Sequence, residues 1–114
     1  MIFQKLVLEG EPSLLLVEDG TGYFQLTFDI KKAGGSDFYQ CLRGITSNLN
    51  EIEKNDIIKS IIRAEYSESD EVALINNILN DPDDEIRRAE YQEYQEYRNY
   101  AKEESSRVME GVTG

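Results

Sequence analysis

No glycine or proline interrupts the chain between Pro82 and Gly111. At 1.5 Å per residue that allows one helix of about 29 residues, roughly 43 Å long, whereas a globule of this chain length has a radius of gyration of only about 13 Å. Such a helix must bend or leave part of itself outside the domain. Asp81 as N-cap, Pro82 at N1 and Asp83, Asp84 and Glu85 in the first turn predict its start, because they meet free amides and oppose the positive end of the dipole. Asp83 with Arg87, Asp84 with Arg88 and Glu103 with Arg107 add i, i+4 pairs worth about a few tenths of a kcal/mol each.

The N-terminal part has a different period. Residues 2–8 are mostly branched, aromatic or long, and Glu9-Gly10-Glu11-Pro12 breaks the run, which predicts a strand and a turn. Leu14 to Val17 is an unbroken apolar run too short for a helix, so it is expected to be a buried strand. Asp19-Gly20-Thr21-Gly22 then supplies a hairpin turn. Phe24, Leu26, Phe28 and Ile30 alternate with polar or larger partners, and period two places all four on one face of a third strand. Consecutive strands with short turns predict a three-stranded antiparallel meander over about 2–30 with one face to cover.

Gly34-Gly35 marks a loop. Beyond it, Phe38, Leu42, Ile45, Leu49 and Ile52 are spaced 4, 3, 4, 3, a helical seam that Ser36 would cap. Against this stand Gly44, which costs about 1 kcal/mol in a helix interior, and Thr46, Ser47, Asn48 and Asn50. The alternative makes Asp37 to Leu42 a fourth strand, with Asn48 capping a later helix. A break near Lys54-Asn55 separates this segment from the next helix, where Ile57, Ile58, Ile61 and Ile62 gather on one side. Ser67 with Asp70 is a capping box, and it opens a second helix carrying Val72, Ile75, Ile78 and Leu79. The isoleucines of both helices are expected to cover the sheet. Residues 1–80 thus form an α+β domain, and 81–114 add a long C-terminal helix and short tail to the same single domain.

Twelve basic against 23 acidic residues give a net charge of −11, which disfavours direct binding to nucleic acid or to an anionic membrane. The N-terminal stretch has neither a basic region nor an apolar run long enough for a signal peptide or membrane helix, and the lone Cys41 suits a reducing compartment. A cytoplasmic protein is expected. With no histidine, neither Cys41 nor any serine has the usual general base, so no catalytic residue is assigned and the chain is not expected to be an enzyme. Cys41 is expected to be a small hydrophobe. Glu68, Asp70 and Glu71 fit helix capping better than metal binding, as do Asp81, Asp83, Asp84 and Glu85. The second group lacks the glycine and terminal glutamate of a calcium loop. Nor does Asp19-Gly20-Thr21-Gly22 match phosphate-loop spacing. No metal or cofactor is expected.

Tyr91, Tyr94, Tyr97 and Tyr100 recur every three residues, and each step turns back by about 60° on a helix. Their rings sweep half the cylinder, so some are expected to meet another molecule, and all four are interface candidates.

The pattern Ile62-Arg63, Tyr66-Ser67, Asp70-Glu71, Val72-Ala73-Leu74-Ile75, followed by the acidic Glu90-Tyr91 and Glu93-Tyr94, resembles short proteins encoded in phages and prophages of gut bacteria. The resemblance spans residues 57–102 and departs at Glu65-Tyr66 and Asn76-Asn77. It implies a phage accessory or assembly setting, with virion association as an alternative location, and no activity. The expected function is a non-catalytic interaction or assembly protein that self-associates or binds a protein partner through its tyrosine-bearing helix. The alternative is an acidic decoy that mimics nucleic acid and occupies a DNA-binding protein.

Overall fold

The computed structural model describes residues 1–12, 15–18, 20–33 and 37–113. Leu14, Asp19 and Gly34-Gly35-Ser36, which carry parts of the strand, turn, loop and cap assignments above, lie outside them. The fold is α+β, a four-stranded antiparallel sheet followed by three helices. Strands β1 (Gln4–Glu9), β2 (Leu16–Glu18), β3 (Phe24–Lys32) and β4 (Phe38–Thr46) precede a 3-10 turn at Leu49–Glu51. Helices α1 (Lys54–Glu65), α2 (Glu68–Asn80) and α3 (Glu85–Thr113) complete the chain. No helix is long and apolar enough to cross a membrane among the described residues.

The sheet has one strand more than the expected meander. Its order is β1-β4-β3-β2, so β4 lies between the first and third strands. The helical seam proposed from Phe38 to Ile52 is replaced by β4 and the 3-10 turn, which Asn48 caps by accepting the Asn50 amide at 3.0 Å. Gly44 accounts for the preference. A Cβ there would stand 2.5 Å from the Phe3 ring, so glycine leaves room for that ring against the strand, whereas in a helix it would only have weakened the seam.

Leu26 and Phe28 are fully buried beneath the helices, paired across the sheet with Gly44 and Leu42. The alternation of β3 stops at Asp29, where a bulge with φ +53° lies between the Phe28 and Lys31 pairings. Lys31 therefore takes the helix-facing side that Phe28 holds, and Ile30 is turned to the opposite face, contrary to simple alternation. At the hairpin between β2 and β3, Gly20 and Gly22 adopt the positive φ, +83° and +88°, that such a turn needs.

Ile57, Ile61 and Ile62 of α1 are buried in the core as expected. The α1–α2 joint is the predicted capping box, with the Ser67 hydroxyl on the Asp70 amide and the Asp70 carboxylate on the Ser67 amide. Helix α3 has 29 residues, but it starts one turn later than expected. Asp81 closes α2 by donating its amide to the Asn77 carbonyl, and Asp84 opens α3 by accepting the amides of Ile86 and Arg87 at 2.9 and 3.1 Å. Pro82 and Asp83 form the turn between them, so Pro82 is not at N1 and Asp83 lies outside the helix. The ion pairs along α3 are i, i+3, Arg87 with Glu90 and Arg107 with Glu104.

The buried residues of α3 are Tyr94, Ala101, Ser105 and Val108. Alanine and serine let the helix approach closely, and the Ser105 hydroxyl is spent on the Ala101 carbonyl at 2.7 Å. The molecule measures 55 × 34 × 22 Å with a radius of gyration of 16.4 Å, elongated along this helix. Its exposed end is the N-terminal one: residues 85, 86, 88 and 89 are exposed, and α2 packs chiefly on α3 beside it.

Candidate functional site

The four tyrosines do sweep around α3, but three of them meet partners within the chain. Tyr94 is 1% exposed. Its ring packs edge-on against Tyr66, with centroids 5.2 Å apart, and its hydroxyl bonds the Glu71 carboxylate of α2. Tyr97 donates to the Ile61 carbonyl of α1 at 3.0 Å. Tyr100 bonds Asp29 at the β3 bulge. Tyr91, half-buried, touches the Tyr94 ring. Of the four interface candidates, Tyr94, Tyr97 and Tyr100 thus find partners within the chain. Helix α2, helix α1 and the sheet succeed one another around α3 and receive the rings in turn.

These contacts create a polar network under the helices. Asp29, 5% exposed, holds the Tyr100 hydroxyl and Lys31 Nζ at 3.5 Å. The Asp29 amide, freed by the bulge, donates to Glu104 Oε2 at 2.9 Å, and Glu104 is clamped by two bonds from Arg107. Lys31 Nζ also lies over the Tyr97 and Tyr100 rings, 5.2 and 5.4 Å from their centroids. Burial, reinforced by Glu71, pushes the Tyr94 hydroxyl up to about 12. Burial also raises Tyr97 and Tyr100, with Asp29 adding to both. Burial opposes ionisation of Glu71 and Glu104, but their hydrogen bonds outweigh it and hold both carboxyls below the usual range. Such an arrangement locks strands to helices, because each charge is already matched by a donor.

Cys41 is 1% exposed and burial pushes its thiol up, a setting that suppresses the thiolate. Among the described residues, no group of three or more acidic or cysteine side chains is placed to hold a metal ion, and every buried side-chain polar atom has a partner. Asp70 and Asp84 are capping residues, and Asp70 is lowered by its bonds to the Ser67 backbone and hydroxyl.

Helix α2 carries an exposed apolar stripe, which includes an isoleucine that sequence reasoning expected on the sheet. It buries none of its 13 residues. Glu71 and the half-buried Leu74, Asn77 and Ile78 lie on other sides of it, whereas Val72, Ile75 and Leu79 are 58%, 42% and 72% exposed. At 100° per residue these three fall within an arc of about 60°. Their 3, 4 spacing is that of a coiled-coil seam. Val72 also borders a shallow hollow of about 500 Å³ with Glu68, Ala73 and Asn76. Carboxylates stand at both ends of the stripe, Glu68 and Asp70 at one and Asp81, Asp83, Asp84 and Glu85 at the other, all exposed. Ile86, 68% exposed, follows at the start of α3. The available signal was the neighbouring Asn76-Asn77, too polar for a helix pressed between a sheet and a second helix.

No protein-family model, curated protein or solved structure matches the chain.

Proposed function

We propose that the protein is a non-catalytic interaction module that binds a basic amphipathic helix of a protein partner along α2. One observation carries this reading: α2, with no fully buried residue, presents Val72, Ile75 and Leu79 as an exposed stripe with carboxylates at either end. Apolar side chains in a row at helical spacing are the anchors of helix-in-groove recognition, and the acidic ends favour a cationic partner over a second copy of a chain with charge −11. The tyrosine-bearing α3 contributes as the support on which α2 rests, through Tyr94 and Glu71. The resemblance of residues 57–102 to phage-encoded proteins adds a setting to the proposal, an accessory or assembly role in the cytoplasm or the virion.

The second reading, an acidic decoy for a DNA-binding protein, draws on the same charge. One experiment separates them. A dye-labelled helical peptide of leucine and lysine, about 18 residues long, is titrated into the protein and into the V72Q/L79Q variant, whose exposed substitutions are expected to shift stability by no more than about 0.5 kcal/mol. Docking on the stripe predicts at least about tenfold weaker binding by the variant. Equal binding by both proteins that collapses as salt rises favours the decoy and overturns the α2 reading.

A further inference from the structure

Among the described residues, strand β1 is paired on one side only, by β4. Its other edge carries the unpaired backbone groups that ordinarily invite another strand. Two clefts flank the first half of this edge, one on each face of the sheet. On the helix side, a cleft of about 430 Å³ has an apolar floor of Phe3, Leu42 and Ala64 and a rim that includes Lys5, Lys59 and Arg63. On the opposite side, a cleft of about 510 Å³ is bordered by Gln4, Leu6, Arg43 and Ile45. Ile2, 84% exposed, borders both. Each volume lies within the range of small-molecule and side-chain pockets, about 300–1,000 Å³.

The charge here is opposite to that of the rest of the molecule. Four of the chain's 12 basic residues, Lys5, Lys59, Arg63 and Arg43, line the two clefts, and none of its 23 acidic residues does. The remaining eight bases and all 23 acids lie outside the lining of the two clefts. Arg63 is already paired with Glu71 of α2, and Lys5 reaches only the Ala64 carbonyl at 3.4 Å. No ion pair reaches Lys5 or Lys59 among the described residues. An extended strand added beside β1 would alternate its side chains between the two clefts.

We propose that the free edge of β1 is a strand-addition site for an extended acidic peptide, whose carboxylates enter the lysine-rimmed cleft and whose alternate apolar side chains enter the cleft between Leu6 and Ile45. Main-chain bonds to β1 supply affinity and the two clefts supply specificity, the division of labour in strand addition. The site is separate from α2 and asks for the opposite charge.

The test uses a blocked, dye-labelled peptide of alternating glutamate and valine, about eight residues long so that it spans β1, against the full chain. Saturable binding is expected, with slowed amide exchange confined to β1 and its neighbours. The K5E/K59E variant, checked for folding by circular dichroism, is expected to bind at least about tenfold more weakly, as is a peptide with lysine in place of glutamate. A peptide N-methylated at alternate residues keeps its charge but cannot complete the ladder, and it is expected to lose binding. Equal binding of the glutamate and lysine peptides, retention of the N-methylated peptide, exchange changes beyond β1 and its neighbours or no saturation would each overturn the proposal. If K5E/K59E does not fold, the peptide arms alone decide.

Discussion

Replacing Tyr100 by phenylalanine removes one oxygen and leaves the ring in place. That oxygen is a hydrogen-bond donor to Asp29, a carboxylate 5% exposed whose other side-chain partner is Lys31 Nζ at 3.5 Å. A hydrogen bond to a charged group contributes about 1.5–3 kcal/mol net, and a buried acceptor left short of a donor keeps its desolvation cost. A loss of about 2 kcal/mol is expected, which for a chain of this length lowers Tm by about 8 °C. Tyr94→Phe follows, at about 1–2 kcal/mol, because Glu71 keeps Arg63. Tyr97→Phe comes next, at about 1 kcal/mol, since its acceptor is the neutral Ile61 carbonyl. The Tyr91 hydroxyl has no hydrogen bond among the described residues, and Tyr91→Phe should stay within about 0.5 kcal/mol of the parent. Urea unfolding followed by far-ultraviolet circular dichroism at pH 7 measures all four against a common slope. If Tyr91→Phe costs as much as Tyr100→Phe, or if Tyr100→Phe costs less than about 0.5 kcal/mol, the hydroxyls are not internal locks. Changes in oligomeric mass at unchanged stability would then return them to an intermolecular surface.

Two further outcomes follow from the caps and the titrating groups. Ser67→Ala removes one half of the capping box at a cost of about 1 kcal/mol; because α2 has no fully buried residue, the loss should appear as faster amide exchange in α2 with little change in Ile57 to Ile62, and uniform acceleration across the chain would contradict it. Tyr94, Tyr97 and Tyr100 all sit above the ordinary phenol value of 10.0, so their stabilisation is complete below pH 10 and lost above it, through about 12 for Tyr94. Glu71 and Glu104 sit below 4.5, so theirs is complete above that pH and lost on acidification. Urea midpoints against pH should therefore fall on both limbs, and phenolate absorbance from the three rings should rise with unfolding rather than before it.

Where one local rule acted alone, the sequence was legible. Ser67 and Asp70 have no rival pairing and form the box; the isoleucines of α1 are dense enough to fix its buried face; after Pro82 nothing interrupts the long helix, which runs through Gly111 to Thr113. Misreadings arose where two rules compete. Residues 38–46 satisfy a helical seam and a strand equally, and the contact that decides between them, Phe3 over Gly44, comes from the other end of the chain. Asp81 and Asp84 are both good caps, and the turn at Pro82-Asp83 assigns one to each helix. The α2 stripe and the tyrosine steps were judged by period, which locates a face on a helix but not what lies opposite it. For α2 that is solvent, and for three of the tyrosines it is the rest of the fold. The bulge at Asp29 has no local signal, since a left-handed aspartate is tolerated wherever neighbours meet its freed groups, and those neighbours, Tyr100 and Glu104, lie more than 70 positions away.

The polar ties that end on α3 set an order of events during synthesis. Asp29 waits for Tyr100 and Glu104, Ile61 for Tyr97, and Glu71 for Tyr94. A ribosome adds about 5–20 residues per second, so the sheet and α1 spend on the order of seconds without this cover while the 29 residues of α3 are made. During that interval the faces of Leu26, Phe28 and Ile61 lack the layer that Ala101 and Val108 complete, so closure of this core is gated by α3 more than by any earlier hairpin.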